Sequence, residues 1–259
     1  MQNAAFRALR LDALYAPFEV PPAVLKPVLR GMVMAGVEGL NVTVPLKEAV
    51  MPCLSALDPA ARSIGAVNTI VIRNRKLTGY NTDGVGFRAA LLELGWKPRH
   101  VRAVVLGAGG AARAVIGELA RCPSTVITIA NRHPEKAQRL ARWARKLFPK
   151  TAVEYCALKA APFSGMNLLV NTTSLGMKHG DPSPVAALPL HRDLLVYDLV
   201  YNRQTALLKA ARKAGCVAQG GLSMLLYQGV AAFQLWTGRK APVAAMRKAL
   251  AAAFKESGG

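Results

Sequence analysis

A chain of 259 residues has room for one large domain or two of ordinary size. With 52% hydrophobic residues it can bury a sizeable core, which excludes wholesale disorder, and no apolar run is long enough to span a membrane. The formal net charge is +20, yet the basic residues are scattered rather than gathered in a tail, which argues against a nucleic-acid partner and suits small anionic substrates and phosphorylated cofactors.

The predicted elements begin with a short helix over Asn3–Leu11 and a strand over Ala13–Val20. Pro21-Pro22 breaks that strand and opens a helix over Ala23–Met34. Gly36 and Gly39 bracket a turn into a strand over Leu40–Val44, Pro45 starts a helix continuing to Leu54, and Asp58-Pro59 starts another reaching Ile64. Ala66–Arg73 and Lys76–Tyr80 read as a β-hairpin, although its turn, Asn74-Arg75, has no glycine. Thr82 or Asp83 is placed to cap a helix over Val85–Leu94, and Gly95-Trp96-Lys97-Pro98 reads as a linker.

From Val101 strands and helices alternate. Strands are expected at Val101–Leu106, Thr125–Ala130, Ala152–Tyr155, Leu168–Asn171, Leu194–Val200 and Cys216–Ala218. Helices are expected at Ala111–Arg121, Pro134–Leu147, Thr205–Ala214, Leu222–Trp236 and from Pro242 to Phe254. Such alternation implies a parallel sheet with helices on its faces. Cys53, Cys122, Cys156 and Cys216 form no C-x-x-C pair, which points to reduced, mostly buried thiols in a cytoplasmic protein. His100, His133, His179 and His191 lack metal-ligand spacing, so no metal site is expected. The first residues carry neither an apolar h-region nor a cleavage pattern.

The strand Val101–Leu106 runs into Gly107-Ala108-Gly109-Gly110-Ala111-Ala112, a glycine-rich turn opening a helix. In that context Gly107 allows the tight turn, Gly109 lets the backbone approach a pyrophosphate, and Ala112 lets the helix pack near the strand. The free N–H groups at the helix start favour phosphates. An ordinary glycine-rich turn has the same letters, so the second strand decides. It ends at Ala130, where Asn131-Arg132-His133 replace the acid that would bind a ribose 2′-hydroxyl. Arg132 can pair with a 2′-phosphate, which selects NADP over NAD, and Arg113 can add charge near the phosphates.

Ahead of the glycine loop lie three polar clusters: Asn41–Lys47, Gly65–Thr69 and Asn81–Gly84. Each flanks a predicted strand, where loops present side chains to a cleft. A lysine can transfer a proton and a nearby carboxylate can position it, which makes Lys47 a candidate. Asn41, Thr43 and Asn68 offer hydrogen bonds to a polyhydroxylated substrate. Taken singly, each of these residues also reads as a turn former, a strand filler or a solvated lysine.

Taken together, the runs NVTVPLK (Asn41–Lys47), GAVNT (Gly65–Thr69), NTDGVGF (Asn81–Phe87), GAGGAARAV (Gly107–Val115), NRHPEKA (Asn131–Ala137), NTTSLGM (Asn171–Met177) and GLSMLLYQGVAAFQLWTG (Gly221–Gly238) resemble the shikimate dehydrogenase family across nearly the whole chain. The resemblance implies an α/β protein: a Rossmann-type NADP-binding domain over 84–221, plus a smaller substrate-binding domain over 1–83 and 222–259 that the C-terminal helices complete. It implies NADPH-dependent, reversible reduction of 3-dehydroshikimate to shikimate in aromatic amino-acid biosynthesis. Lys47 and Asp83 match the catalytic pair, with Lys47 the acid/base. Asn68, Thr43 and Gln228 match substrate-binding positions, and Asn41 begins the same motif. Gly107 to Ala112 match the phosphate loop, Asn131 and Arg132 the 2′-phosphate site, and Gly221 and Met224 the segment beside the nicotinamide. A cytoplasmic enzyme, monomer or homodimer, without nucleic-acid or membrane partners, is expected.

Two departures stand out. Tyr201-Asn202-Arg203-Gln204-Thr205 lacks the proline usual after Tyr-Asn and is a residue short. The match also begins in mid-motif at Met1-Gln2-Asn3, without the strand and Ser-x-Ser segment usual ahead of it, so the natural chain is expected to begin upstream of Met1. The alternatives are a quinate/shikimate-type dehydrogenase, an aminoshikimate-type reductase, or a truncated NADP-binding homologue with impaired catalysis. A methylenetetrahydrofolate dehydrogenase is disfavoured by Asn81–Gly84 and Met224–Gln228.

Overall fold

The computed structural model describes residues 1–96, 99–185 and 191–256, with the backbone alone at 255–256. Along it run α1 (Gln2–Ala8), α2 (Leu25–Met34), β1 (Gly39–Asn41), α3 (Leu46–Ala49), β2 (Ala56–Leu57), α4 (Pro59–Ile64), β3 (Thr69–Arg73), β4 (Lys76–Tyr80) and α5 (Asp83–Glu93). Then follow β5 (Arg102–Leu106), α6 (Gly110–Leu119), β6 (Val126–Asn131), α7 (Pro134–Leu147), β7 (Ala152–Ala157), β8 (Leu168–Asn171), β9 (Leu195–Asp198), α8 (Ala206–Lys213), β10 (Ala218–Gly220), α9 (Leu222–Thr237) and α10 (Val243–Glu256). The chain divides into two compact units, Met1–Gly86 with Leu226–Ala253, and Phe87–Leu225 with Phe254. The divisions fall inside α5, α9 and α10. The expected linker Gly95–Pro98 is therefore not the boundary, and its Lys97 and Pro98 lie outside the described residues.

Among the described residues the first unit holds a four-stranded sheet in the order β1-β3-β4-β2. The β3–β4 hairpin pairs Arg73 with Lys76 across a two-residue turn. Asn74 (φ 49°) and Arg75 (φ 61°) are both left-handed, the twist that a tight hairpin needs, and asparagine tolerates that region well enough to replace glycine. Strand β3 starts at Thr69 rather than Ala66. Val67 donates its N–H to the Lys47 carbonyl, and the Ala66 carbonyl accepts from Asn81 Nδ2, so residues 66 and 67 tie loops together instead of extending the ladder. Beneath the sheet, Leu25 and Leu29 of α2 pack with Val50, Ala61, Val67, Ile70 and Ile72. Trp236 of α9 lies over Gly39, where a Cβ would collide with the indole, and its Nε1–H donates to the Ile70 carbonyl at 3.0 Å.

The expected strand over Ala13–Val20 does not form. Tyr15 donates its N–H to Asn3 Oδ1 at 2.7 Å and its carbonyl accepts from Asn3 Nδ2 at 2.9 Å. The asparagine amide thus takes the backbone groups a strand neighbour would use, and Pro17 has no N–H to offer. Leu14 and Phe18 are left exposed. The strand expected to reach Val44 likewise ends at Asn41.

The second unit holds a six-stranded parallel sheet, β7-β6-β5-β8-β9-β10. Strands β8 and β9 are buried throughout, and β5 is buried from Ala103 on, the signature of a sheet covered on both faces. Numbered from β5, the order is 3-2-1-4-5-6, the doubly wound arrangement, and its switch point lies between β5 and β8. Of the four cysteines Cys216 is buried and the other three are half-buried, fewer than expected, and all are free. Among the described residues no helix is long and apolar enough to cross a membrane.

Candidate active site

In the first unit, loop geometry brings Lys47 and Asn68 to the Asp83 carboxylate, with Gln228 beside Asn68. Lys47, on the one-turn helix α3, places Nζ 2.7 Å from Asp83 Oδ2. Asp83 opens α5; Thr82 before it holds the N-cap position, its carbonyl accepting from the Gly86 N–H, while the Asp83 N–H donates to Asn81 Oδ1. The helix N-terminus favours the negative charge of Asp83. Its other oxygen accepts from Asn68 Nδ2 at 2.7 Å, and the same nitrogen lies 3.2 Å from Gln228 Oε1. The Asp83 side chain is 8% exposed and that of Lys47 26%, so the carboxylate is sheltered and the lysine partly exposed.

Asn68 is itself gripped from behind. Its Oδ1 accepts from the Thr82 N–H (2.9 Å), the Thr82 hydroxyl (3.2 Å) and the Thr69 hydroxyl (3.0 Å). Asn41 Nδ2 donates to the Asn68 carbonyl at 3.2 Å, and Asn41 Oδ1 accepts from the Tyr15 hydroxyl at 3.0 Å. Burial pushes the Tyr15 phenol above its ordinary value. Lys47, Asp83, Asn68, Gln228 and Asn41 thus form one connected cluster. Thr43 is exposed and meets the loop through its carbonyl, which accepts from Leu46. The sequence singled out Thr82 only as a helix cap, and neither Tyr15 nor Thr69; Thr69 sits inside a polar run, whereas Tyr15 lies in a stretch that reads as strand.

In the second unit the glycine turn leaves β5 at the switch point. Gly107 has φ +109°, and a Cβ there would stand 2.5 Å from Thr172 Oγ1, whose hydroxyl donates to the Leu106 carbonyl. Gly109 precedes α6 in extended conformation, and a Cβ on Gly109 or Gly110 would meet only open space. The first-turn N–H groups of a ten-residue helix therefore face an unobstructed hollow, which fits a diphosphate. Ala108 and Ala111 complete the loop, and Ala112 is fully buried against the sheet as expected of that position. Asn131 ends β6 and donates Nδ2 to the His133 carbonyl; Arg132 beside it is exposed at the start of α7. Arg113 places its guanidinium 5.8 Å from the Trp143 ring centroid.

Further along this sheet edge, Asp198 is fully buried. Oδ1 accepts from Asn171 Nδ2 (2.8 Å) and the Val200 N–H (3.1 Å), and Oδ2 from the Thr205 hydroxyl (2.6 Å). Burial raises its carboxyl above the ordinary range against the pull of those donors. Tyr197, hydrogen-bonded to Ser223 at 3.0 Å, is pushed up to about 12 by burial. Gly221 packs against the Leu199 carbonyl, which a Cβ would strike, so close backbone packing already requires glycine there; Met224 is buried.

Known proteins match the chain along its length. Family models match in three places: the shikimate dehydrogenase substrate binding domain at residues 1–70, shikimate / quinate 5-dehydrogenase at 91–164, and the shikimate 5′-dehydrogenase C-terminal domain at 221–251. The shikimate dehydrogenase (NADP(+)) of Moorella thermoacetica is 47% identical over 264 residues, covering 100% of this chain and 90% of that one. A crystal structure of a shikimate dehydrogenase in complex with NADP+ superposes with a TM-score of 0.93 at 40% identity, covering 98% of this chain and 89% of the other. The ligand-free 5-ketofructose reductase of Gluconobacter sp. strain CHM43 follows at TM-score 0.88 and 36% identity, covering 97% and 91%. Likeness of this degree over the whole length, with the motifs in order, establishes that the chain belongs to the shikimate dehydrogenase family.

Proposed function

We propose that this chain catalyses the reversible, NADP-dependent reduction of 3-dehydroshikimate to shikimate. The observation that carries the reading is the Lys47–Asp83 pair at 2.7 Å, with Asn68 and Gln228 bound around it. Residues 84–221 take the cofactor and residues 1–83 with 222–259 the substrate. The Gly107–Ala112 backbone holds the diphosphate, Asn131 and Arg132 the 2′-phosphate, and Gly221 and Met224 border the nicotinamide, which supplies the hydride when bound.

The work of the protein's own side chains is the proton. In the reducing direction the Lys47 ammonium gives a proton to the carbonyl oxygen as negative charge develops there; in the oxidising direction the neutral amine takes it from the hydroxyl. Asp83 holds the ammonium in place through one oxygen and is itself held by Asn68 through the other. Asn41, Thr43, Asn68 and Gln228 supply the hydrogen bonds that a ring with several hydroxyls requires.

A second reading, quinate as the preferred substrate, draws on the shikimate / quinate family model over residues 91–164. Purified protein given shikimate or quinate with NADP or NAD, followed by the absorbance of the reduced cofactor, separates the two. Shikimate with NADP is expected to turn over fastest. Faster turnover of quinate would favour the second reading, and no turnover of either would sink both.

A further inference from the structure

The carboxylate of Asp83 and the Asn68 carbonyl fix the donor directions of the amides around them, while of the Thr69 and Thr82 hydroxyls, 3.4 Å apart, either can donate to the other. Asp83 is a carboxylate and only accepts, so the Asn68 atom 2.7 Å from it is the NH₂ group. Its two hydrogens go to Asp83 and Gln228, which makes the facing Gln228 atom the amide oxygen and turns the Gln228 NH₂ away from Asn68. Asn68 Oδ1 is then an acceptor, for the Thr82 N–H at 2.9 Å and for the Thr69 hydroxyl at 3.0 Å, and that hydroxyl has one proton to give. Thr69 Oγ1 therefore accepts from Asn41, at 3.3 Å, and Asn41 presents its NH₂ to Thr69 and the Asn68 carbonyl. The Asn41 oxygen is left facing outward, and the Tyr15 hydroxyl donates to it at 3.0 Å. Tyr15 is in turn fixed by the paired backbone bonds to Asn3 and by its ring 6.0 Å from that of Trp236.

We infer that Tyr15 and Thr69 are positioning residues: through Asn41 and Asn68 they lock the side-chain amides so that the cluster offers N–H donors, at Lys47 Nζ and Gln228 Nε2, to an incoming oxygen. Thr69 is fully buried, so no water replaces its hydroxyl; Tyr15 is 37% exposed, so water replaces part of its role. A cluster without this lock lets the Asn41 amide sample the flipped orientation and loosens Asn68, whose Oδ1 loses one of its three donors while Asp83 and Thr82 still hold it. The cost falls on substrate binding more than on the proton step, because Lys47 is held to Asp83 independently of Thr69.

The inference rests on the proposed function for its kinetic arm alone. Thr69→Val, which keeps the shape and removes the hydroxyl, is expected to raise KM for shikimate about 10-fold with kcat within about 2-fold. Thr69→Ser restores the wild-type KM, and Tyr15→Phe raises it about 3-fold. In ¹⁵N-labelled protein the side-chain NH₂ of Asn41 exchanges slowly in the wild type and faster in Tyr15→Phe and Thr69→Val. Equal KM rises in Thr69→Val and Thr69→Ser would mean a packing role and overturn the inference. So would an Asn41 NH₂ that exchanges freely in the wild type. A wild-type protein that does not turn over shikimate would count against the proposed function, and the exchange measurement would still decide the lock. If Thr69→Val fails to fold, Tyr15→Phe decides by the same two readouts.

Discussion

In the second unit the site is made of backbone. Gly107 bends the chain, Gly109 and Gly110 leave the hollow open, and the peptide N–H groups of α6 point into it. In the first unit the site is made of side chains: Lys47, Asp83, Asn68, Gln228 and Asn41 come from five separate places and hold one another through amide and carboxylate bonds. A backbone site depends on what is missing, so an added methyl group damages it. A side-chain site depends on partners, so removing one group leaves another unpaired.

The sharpest test of the difference is Lys47→Ala. It removes the proposed proton carrier and leaves the sheltered Asp83 carboxylate without its cation. Turnover is expected to fall about 10³-fold, within the range for loss of a general acid/base. The affinity for NADPH, read by fluorescence titration, should stay within about 2-fold, below the tenfold that corresponds to 1.4 kcal/mol. Turnover close to wild type would remove Lys47 from the mechanism, and an equal loss of NADPH affinity would mean that the two sites are not built separately.

In the backbone site the informative pair is Gly107→Ala and Gly109→Ala. At Gly107 the left-handed φ and the nearby Thr172 hydroxyl both resist a Cβ, and a loss of about 2–3 kcal/mol of stability is expected in thermal or urea unfolding. At Gly109 the added carbon meets no protein atom, so stability should change by less than about 1 kcal/mol while NADP affinity falls. Matching stability losses at both positions would show that the hollow is not open as described.

That contrast also explains what the sequence disclosed. The β5–Gly107–α6 turn is local, and its glycines, its strand and its helix are adjacent in the chain, so periodicity and motif suffice to find it. The alternating order of the second unit was legible for the same reason. The resemblance named Lys47 and Asp83, but no local pattern says that a lysine at 47 meets an aspartate at 83. That pairing exists because Val67 bonds the Lys47 carbonyl and Asn81 bonds Ala66, which are tertiary choices. Tyr15 was missed because its alternating neighbours mimic a strand, while Asn3 takes up the hydrogen bonds that would have made one. The turn at Asn74-Arg75 reads poorly without glycine and forms anyway, because both residues accept a left-handed φ.

Arg132→Ala brings a smaller effect on the cofactor side. The arginine is exposed and its guanidinium is the charge at the end of β6, where NAD enzymes carry an acid. Loss of one charge-assisted bond of about 1.5–3 kcal/mol should lower the ratio of kcat/KM for NADP over NAD by about 10-fold or more, with NAD kinetics little changed. An unchanged ratio would assign the 2′-phosphate to other residues.

The smallest effect concerns Asp198, a buried carboxylate in the backbone-built unit, which tests whether side-chain bonding matters there too. Burial holds its folded pKa above the ordinary 3.8 of the unfolded chain. Between those two values the folded state keeps a proton that the unfolded state has lost, so the Asp198 contribution to stability is greatest below 3.8, falls as pH rises through the folded value and stays lower above it. Asp198→Asn does not titrate. Its constant cost, set by turning an amide N–H toward Thr205, cancels when one variant is followed across pH. The stability of Asp198→Asn minus that of the wild type should therefore rise between acid and neutral pH. Urea unfolding of both proteins at each pH measures it. A difference that falls with pH would mean that the bonds from Asn171, Val200 and Thr205 outweigh burial, and that this carboxylate holds its loops as an ion in the way Asp83 holds Lys47.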